Sequence, residues 1–421
     1  MQPYNQPMSN IPLSQRFAEA MLAEALEDSP VVLVHGPRQC GKSTLARMLG
    51  DQVGYTYLSF DDDTVQAAAE SDPVGFIDDL PERIILDEVQ RVPTLFTSLK
   101  AAVDRNRQPG RFLLTGSSNV LLVPRLSDSL AGRMAIQRLH PFAQCELEGH
   151  PSGFLDWLFT ADFPTRKVPR LKEELSARVA AGGYPPALTR PEGRRRDNWY
   201  RDYVTTLVQR DVREITRIRS LDALPRLLRL AAARTAQLFN LSDLASAFQL
   251  SRATIGDYVT LLENIFLLER LPPWHSNHTS RLIKTPKLHM GDTGLACALL
   301  GLSSDMLNAN RAHLGPLLET FVYQELRRLA SWHPKHHDFF HLRDKDKVEV
   351  DVVIERGAGL IAGVEIKAAA TVTAADFRGL KKLKDAAGKR FAAGVVLYDG
   401  EMCARFGEGL YAVPLRWLWE R

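Results

Sequence analysis

Residues 36–43 read Gly36-Pro37-Arg38-Gln39-Cys40-Gly41-Lys42-Ser43, with Thr44 next. The stretch fits G-x-x-x-x-G-K-[ST] at every fixed position. Val31-Val32-Leu33-Val34 before it is a short, β-branched apolar run, and Ser43 to Leu49 after it has helical spacing. A strand feeding a glycine-rich turn that opens a helix aims backbone N–H groups and the positive helix end at one spot, where a polyphosphate can sit. Gly36 and Gly41 permit close backbone approach. Lys42 would reach the β- and γ-phosphates, and Ser43 would hold Mg²⁺ through its hydroxyl. Pro37, Arg38, Gln39, Cys40 and Thr44 complete the candidate ATP-contacting stretch. An ordinary strand–turn–helix with a chance match is the alternative, and the flanking pattern speaks against it. Nucleoside triphosphate binding is the expectation.

The second half of such a site belongs on a later strand that ends in acids. Arg83-Ile84-Ile85-Leu86 is an apolar run with Asp87-Glu88 at its tip. Strand carboxyl ends line up beside the phosphate loop in a parallel sheet, so both acids would face the γ-phosphate. Asp87 would bind the hydration shell of Mg²⁺, and Glu88 would polarise the attacking water. A third run, Arg111-Phe112-Leu113-Leu114, ends in Thr115-Gly116-Ser117-Ser118-Asn119. Its hydroxyls, Ser117 among them, either sense the γ-phosphate or serve as turn and cap residues. Ser129-Leu130-Ala131-Gly132-Arg133 sets an arginine after a small-residue turn.

GPRQCGKSTL, ILDEVQ, LLTGSSN and SLAGR, in that order, resemble the compact AAA+ P-loop ATPases of prokaryotes that carry a characteristic C-terminal region. The resemblance continues through Gly182-Gly183-Tyr184-Pro185-Pro186, LVQRDVREI, PKLHMGDTGL, GPLLETFVYQEL and a VPLRWLW end, and so covers nearly the whole chain. It implies ATP hydrolysis by a homo-oligomer. It also implies that Arg133 is an arginine finger, acting in cis or on a neighbouring subunit.

At 421 residues the chain is long enough for two or three domains, each with its own core. A content of 45% hydrophobic and 24% charged residues is ordinary for a globular chain, and the net charge of +3 is too small to indicate a partner. No apolar run approaches a membrane span and no signal-peptide pattern opens the chain, so a soluble, cytoplasmic protein without membrane association is expected. Cys40, Cys145, Cys297 and Cys403 are scattered without a C-x-x-C pair, which argues against a disulfide framework and a zinc site.

Residues 1–10 are polar and expected to fray, and Ser14 to Leu26 has helical spacing. Strand–helix alternation runs to about residue 140. The fold class expected is α/β: an AAA+-like P-loop NTPase domain with a parallel sheet over 1–145, a helical linker with a winged helix-turn-helix over 146–275, and an α+β, restriction-endonuclease-like domain over 276–421. Residues 190–234 hold twelve arginines against six acids. That surplus can track a phosphate backbone, or it can be helix-face ion pairs such as Arg210 with Glu214. Leu241 to Ile255 reads as a short helix, a turn at Gln249-Leu250, and Ser251 capping a second helix to about Asn264. Leu244, Ala247, Phe248 and Ile255 would form its core, and Phe266 to Leu271 would begin a wing strand. In a DNA reader Arg252, Thr254 and Asp257 would enter the major groove. A plain packing module is the other reading.

The last third carries a second chemistry. Val348 to Ile354 and Leu360 to Lys367 are apolar-alternating runs joined by Gly357-Ala358-Gly359. A hairpin would bring Asp351 close to Glu365 and Lys367, which share one face of a strand. Gly315-Pro316 would open an amphipathic helix with Glu319 near its start. Such acids hold one or two metal ions that polarise a scissile phosphate, and the lysine stabilises the charge that develops. The set resembles the PD-(D/E)XK nuclease superfamily, with Val350 where its proline would stand. The resemblance implies Glu319, Asp351 and Glu365 as ligands for Mg²⁺ or Mn²⁺ and Lys367 as the catalytic lysine. Three functions compete: an ATP-regulated DNA-cutting enzyme, an ATP-gated DNA-binding regulator, and a protein-remodelling ATPase with a protein client.

Overall fold

The computed structural model describes residues 15–117, 130–209, 223–275, 285–357 and 359–420. Ser118, Asn119, Ser129, the Arg210–Glu214 pair and the expected frayed N-terminus lie outside them. The described residues form two compact units, one of 15–142 with 263–266, the other of 143–262 with 267–421.

The first unit is built on five parallel strands, β1 (Val31–His35), β2 (Thr56–Ser59), β3 (Ile84–Asp87), β4 (Phe112–Gly116) and β5 (Met134–Arg138), in the order β2-β3-β4-β1-β5. Every residue of β1, β3 and β4 is buried, which explains why these runs are continuously apolar rather than alternating. Leu33, Leu86, Phe96, Leu99 and Leu114 pack in the core on one side of the sheet, and Val32, Leu45, Ile85 and Leu113 on the other. All strand carboxyl ends therefore converge on one edge.

The second unit begins helical. The helix Ala223–Ala233 is followed by β6 (Gln237–Leu238), the helices Leu241–Phe248 and Arg252–Asn264, β7 (Leu268–Leu271) and β8 (Lys287–Met290). The three strands form an antiparallel sheet in the order β6-β8-β7. Gln249 turns the chain between the helices at φ 55°, and the Ser251 hydroxyl accepts from Thr254 N at 3.1 Å. Leu244 and Ile255 are buried and Phe248 half-buried, but Ala245 takes the inward position expected of Ala247, which is exposed.

A six-stranded mixed sheet closes the unit, with β9 (His337–Arg343), β10 (Glu349–Arg356), β11 (Leu360–Lys367), β12 (Phe391–Tyr398), β13 (Ala404–Gly407) and β14 (Leu410–Pro414) in the order β13-β14-β12-β11-β10-β9. The helix Arg378–Ala387 packs Leu380 and Leu383 on one face of it. The helix carrying Glu319 starts at Arg311, not at Gly315-Pro316. The Asn310 side chain caps it by accepting from Ala312 N at 3.0 Å, and Pro316 sits inside the first turns. No helix among the described residues is long and apolar enough to cross a membrane.

Candidate functional site

At the carboxyl edge of the first sheet, β1 runs into the glycine-rich loop and then the helix Lys42–Val53. Gly36 has φ 152°, and a Cβ there would lie 2.1 Å from the Leu139 carbonyl oxygen, so only glycine fits. Arg16 braces the loop from behind, donating to the carbonyls of Cys40 (2.8 Å) and His140 (2.6 Å). The buried Lys42 Nζ donates to the carbonyls of Gly36 (3.1 Å) and Pro37 (2.9 Å). Arg38 is half-buried, Gln39 and Thr44 exposed, and Cys40 buried.

The acids stand where a phosphate would need them. Ser43 Oγ donates to Asp87 Oδ1 at 2.8 Å, Tyr57 donates to Asp87 Oδ2 at 2.7 Å, and the Thr115 hydroxyl also donates to Asp87. The Ser43 and Asp87 pairing fits an octahedral Mg²⁺ that keeps most of its waters and takes phosphate oxygens as further ligands. Glu88 adopts a left-handed backbone, φ 58°, a conformation that costs a non-glycine residue energy and clusters at working sites. Ser117 donates to Glu88 Oε2 at 2.8 Å, and Gln90 donates to the same oxygen. Burial works to raise the Glu88 pKa, but Lys42, the bonds from Gln90 and Ser117, and Arg38 outweigh it and hold the carboxyl below its usual range. It is ionised at neutral pH. His35, at the tip of β1, is pushed down to about 3 by burial and then by Arg138 and Lys42, and is neutral.

Lys42→Ala is expected to weaken ATP binding by about 10- to 150-fold, the range for losing a charged hydrogen-bond donor worth about 1.5–3 kcal/mol. Titration with a fluorescent ATP analogue reads this directly, and unchanged affinity would remove the assignment.

Arg133 does not join this group. Register pairs Val31 with Met134 and His35 with Arg138, so Arg133 lies at the opposite end of the strands from the loop. Five residues of strand separate it from that edge by roughly 16 Å. Its Nε donates to Asp104 Oδ1 at 2.7 Å. An arginine-finger role within one chain is therefore excluded by position. Tyr57, Arg16 and Gln90 were not legible as site residues, since each acts from a separate element, whereas Thr115 belongs to the strand-tip hydroxyls read from the sequence.

In the second unit, Glu319, Asp351, Glu365 and Lys367 line one cleft of about 660 Å³. β10 and β11 pair antiparallel with Val352 opposite Val364, a register that sets Asp351 beside Glu365. Asp351 Oδ2 accepts from Ile366 N at 3.0 Å, and Lys367 Nζ donates to Glu365 Oε1 at 3.0 Å. A residue absent from the sequence expectation stands between the acids. Lys287 of β8, 2% exposed, has its Nζ 2.6 Å from Glu319 Oε1, 3.3 Å from Asp351 Oδ1 and 3.8 Å from Glu349 Oε2. Burial opposes the Lys287 charge, but Asp351, Glu319 and Glu349 outweigh it and hold the amine protonated. Burial, then Asp351, pushes the Glu319 carboxyl upward while Lys287 opposes that shift, and the same causes raise Glu365 to about 8 against Lys367 and Lys287.

The expected divalent metal does not fit this arrangement. An ammonium bridges two of the three expected ligands, Glu319 and Asp351, and among the described residues no three His, Cys, Asp or Glu are grouped to hold a metal ion.

The motifs GGYPP and MGDTGL meet elsewhere in the same unit. The fully buried Asp292 accepts from Gly183 N (2.8 Å), Leu295 N (3.2 Å), Tyr200 OH (3.1 Å) and Arg328 Nη2 (3.3 Å). A Cβ on Gly182 would lie 2.1 Å from Asp292 Oδ1. These motifs hold the fold.

Residues 28–148 match the model of an AAA domain, 172–306 a domain of unknown function (DUF8612), and 314–418 another (DUF4143). Two uncharacterized proteins, of Mycobacterium tuberculosis and Mycobacterium bovis, are each 31% identical over 404 residues, 96% of this chain and 84% of theirs. Among solved structures, a Walker-type ATPase of Pyrococcus abyssi matches at TM-score 0.45 and 15% identity, over 70% of this chain and 98% of its own. The RuvB Holliday junction branch migration motor of Thermotoga maritima matches at TM-score 0.28 and 19% identity, over 61% and 89%. Scores this low carry no functional argument.

Proposed function

The chain belongs to the family of these two mycobacterial proteins, an AAA ATPase domain followed by two domains of unknown function, and on that premise we propose an ATP-gated DNA-binding protein. The AAA domain binds and hydrolyses ATP, typically with Mg²⁺. The observation that carries the DNA reading is the element order from Ala223 to Met290, helix, strand, two helices, strand, strand, with a three-stranded antiparallel sheet. That order resembles a winged helix, and Arg252 and Asp257 at the start of its last helix are exposed, with Thr254 half-buried. The described arginines between 190 and 234 add cationic surface suited to phosphates.

A second reading, a PD-(D/E)XK-like domain, is favoured by the convergence of Glu319, Asp351, Glu365 and Lys367 in one cleft. Lys287 among those acids weighs against metal-dependent cleavage by it. For Arg133, the far-edge position is compatible with a role on a neighbouring subunit of a homo-oligomer, and its ion pair with Asp104 supports a purely structural one.

Fluorescence anisotropy with a labelled duplex tests the proposal. Affinity should fall steeply with salt, by about 10³-fold or more between about 50 and 200 mM for a protein contacting six or more phosphates. Arg252→Ala should weaken it further, by about 1–3 kcal/mol if the side chain reads a base edge. No duplex binding at low salt, with ATP hydrolysis indifferent to DNA, would overturn the proposal and leave the protein-client reading.

A further inference from the structure

The acid cleft of the second unit already contains a cation. Lys287 Nζ lies 2.6 Å from Glu319 Oε1 and 3.3 Å from Asp351 Oδ1, so the ammonium occupies the space those two carboxylates share. A divalent ion would need the same oxygens at about 2.0–2.6 Å from its own centre. The two occupants exclude one another sterically, and they repel as like charges at a lysine that is 2% exposed. Several of the remaining oxygens are also engaged, although Glu365 Oε2 is buried without a hydrogen-bond partner. Asp351 Oδ2 accepts from Ile366 N at 3.0 Å, Glu365 Oε1 accepts from Lys367 at 3.0 Å, and Arg343 pairs with Glu349.

Nor is the lysine free to leave. Its backbone lies in β8, opposite Leu238 of β6 on one side and Leu271 of β7 on the other. A buried ammonium turned away from its carboxylates would be an uncompensated charge, costly by several kcal/mol. The strand and its partners thus hold the charge in the cleft.

We propose that Lys287 is a resident substitute for the divalent ion: the cleft keeps nuclease-type carboxylates but is closed to metal, and removing the ammonium opens it. This rests on the nuclease-like reading of the cleft and not on DNA binding.

Electron paramagnetic resonance of Mn²⁺ bound to the full, nucleotide-free chain tests it. Native chain and Asp351→Asn should give the same Mn²⁺ isotherm, since the native cleft takes no metal. Lys287→Ala and the chain-length-matched Lys287→Met should each gain one site at least tenfold tighter than any in the native chain. Adding Asp351→Asn to Lys287→Ala should abolish that site. Mn²⁺ bound by the native chain and lost in Asp351→Asn overturns the proposal, whatever the Lys287 variants do. So does a Lys287 variant with a native melting profile that gains no site. If both Lys287 variants misfold, the native and Asp351→Asn pair decides alone: equal isotherms support the proposal and unequal ones overturn it. DNA is absent from every arm, so failure of the DNA reading leaves this result standing, and the reverse also holds.

Discussion

Glu88→Gln is expected to bind ATP normally and hydrolyse it about 10²–10⁴-fold more slowly, the range for removing a general base. Glutamine keeps the shape and can still bond Ser117 and Gln90, but it cannot take up a proton or polarise water as a carboxylate does. The backbone at position 88 holds that carboxylate in place, left-handed and fixed by Ser117 at 2.8 Å. Because Lys42, Gln90, Ser117 and Arg38 outweigh burial and keep the carboxyl below its usual range, native hydrolysis should persist through mildly acidic pH. Single-turnover hydrolysis reads the effect. A rate within a few-fold of native, with unchanged ATP affinity, would take Glu88 out of the chemistry.

Asp292→Ala is expected to destabilise the second unit by about 3–5 kcal/mol, the cost of breaking a buried ion pair from one side. Arg328, 2% exposed, would lose one of the carboxylates that keep its charge tolerable, among them Glu325 at 2.6 Å. Two backbone donors, Gly183 N and Leu295 N, would lose their acceptor as well. Asp292→Asn keeps an acceptor for those amides while giving up the charge, so it should lie between alanine and native. Urea denaturation followed by circular dichroism measures both. A midpoint for the alanine variant equal to native would show that the network contributes nothing to stability.

What could be read from sequence was what sits close together in the chain. The phosphate loop is contiguous and its job is done by backbone, so Gly36, Gly41, Lys42 and Ser43 announce it. Asp87-Glu88 follow from an apolar strand ending in acids. Asp351, Glu365 and Lys367 lie on the two strands of one hairpin, where spacing alone fixes the neighbours. Glu319 arrived in the cleft even though its helix begins at Arg311, because a well-placed Asn310 cap outweighs the tendency of Pro316 to start helices.

Positions set by tertiary packing were not legible. Arg133 looks like any arginine after a small-residue turn, and only the pairing of β1 with β5 shows which end of the sheet it occupies. Lys287 sits in Pro286-Lys287-Leu288-His289-Met290, and no periodicity marks a lysine as buried. Its counter-charges come from a helix and a strand more than thirty residues away. Ala245 and Ala247 lie on nearly opposite sides of one short helix, and either alanine fits beside the Leu244 and Phe248 stripe, so apolar spacing does not choose between them.

An ATP-gated DNA-binding protein requires that the nucleotide state of the first unit set the DNA affinity of the chain. The most direct measurement is duplex binding by the Glu88→Gln chain, which should hold ATP without consuming it, compared across ATP, ADP and no nucleotide at one salt concentration. The account predicts that affinity with ATP differs from the nucleotide-free value by about 5- to 150-fold, the usual range of a coupling between two sites. Equal affinities in all three states, with nucleotide shown to be bound, would contradict it.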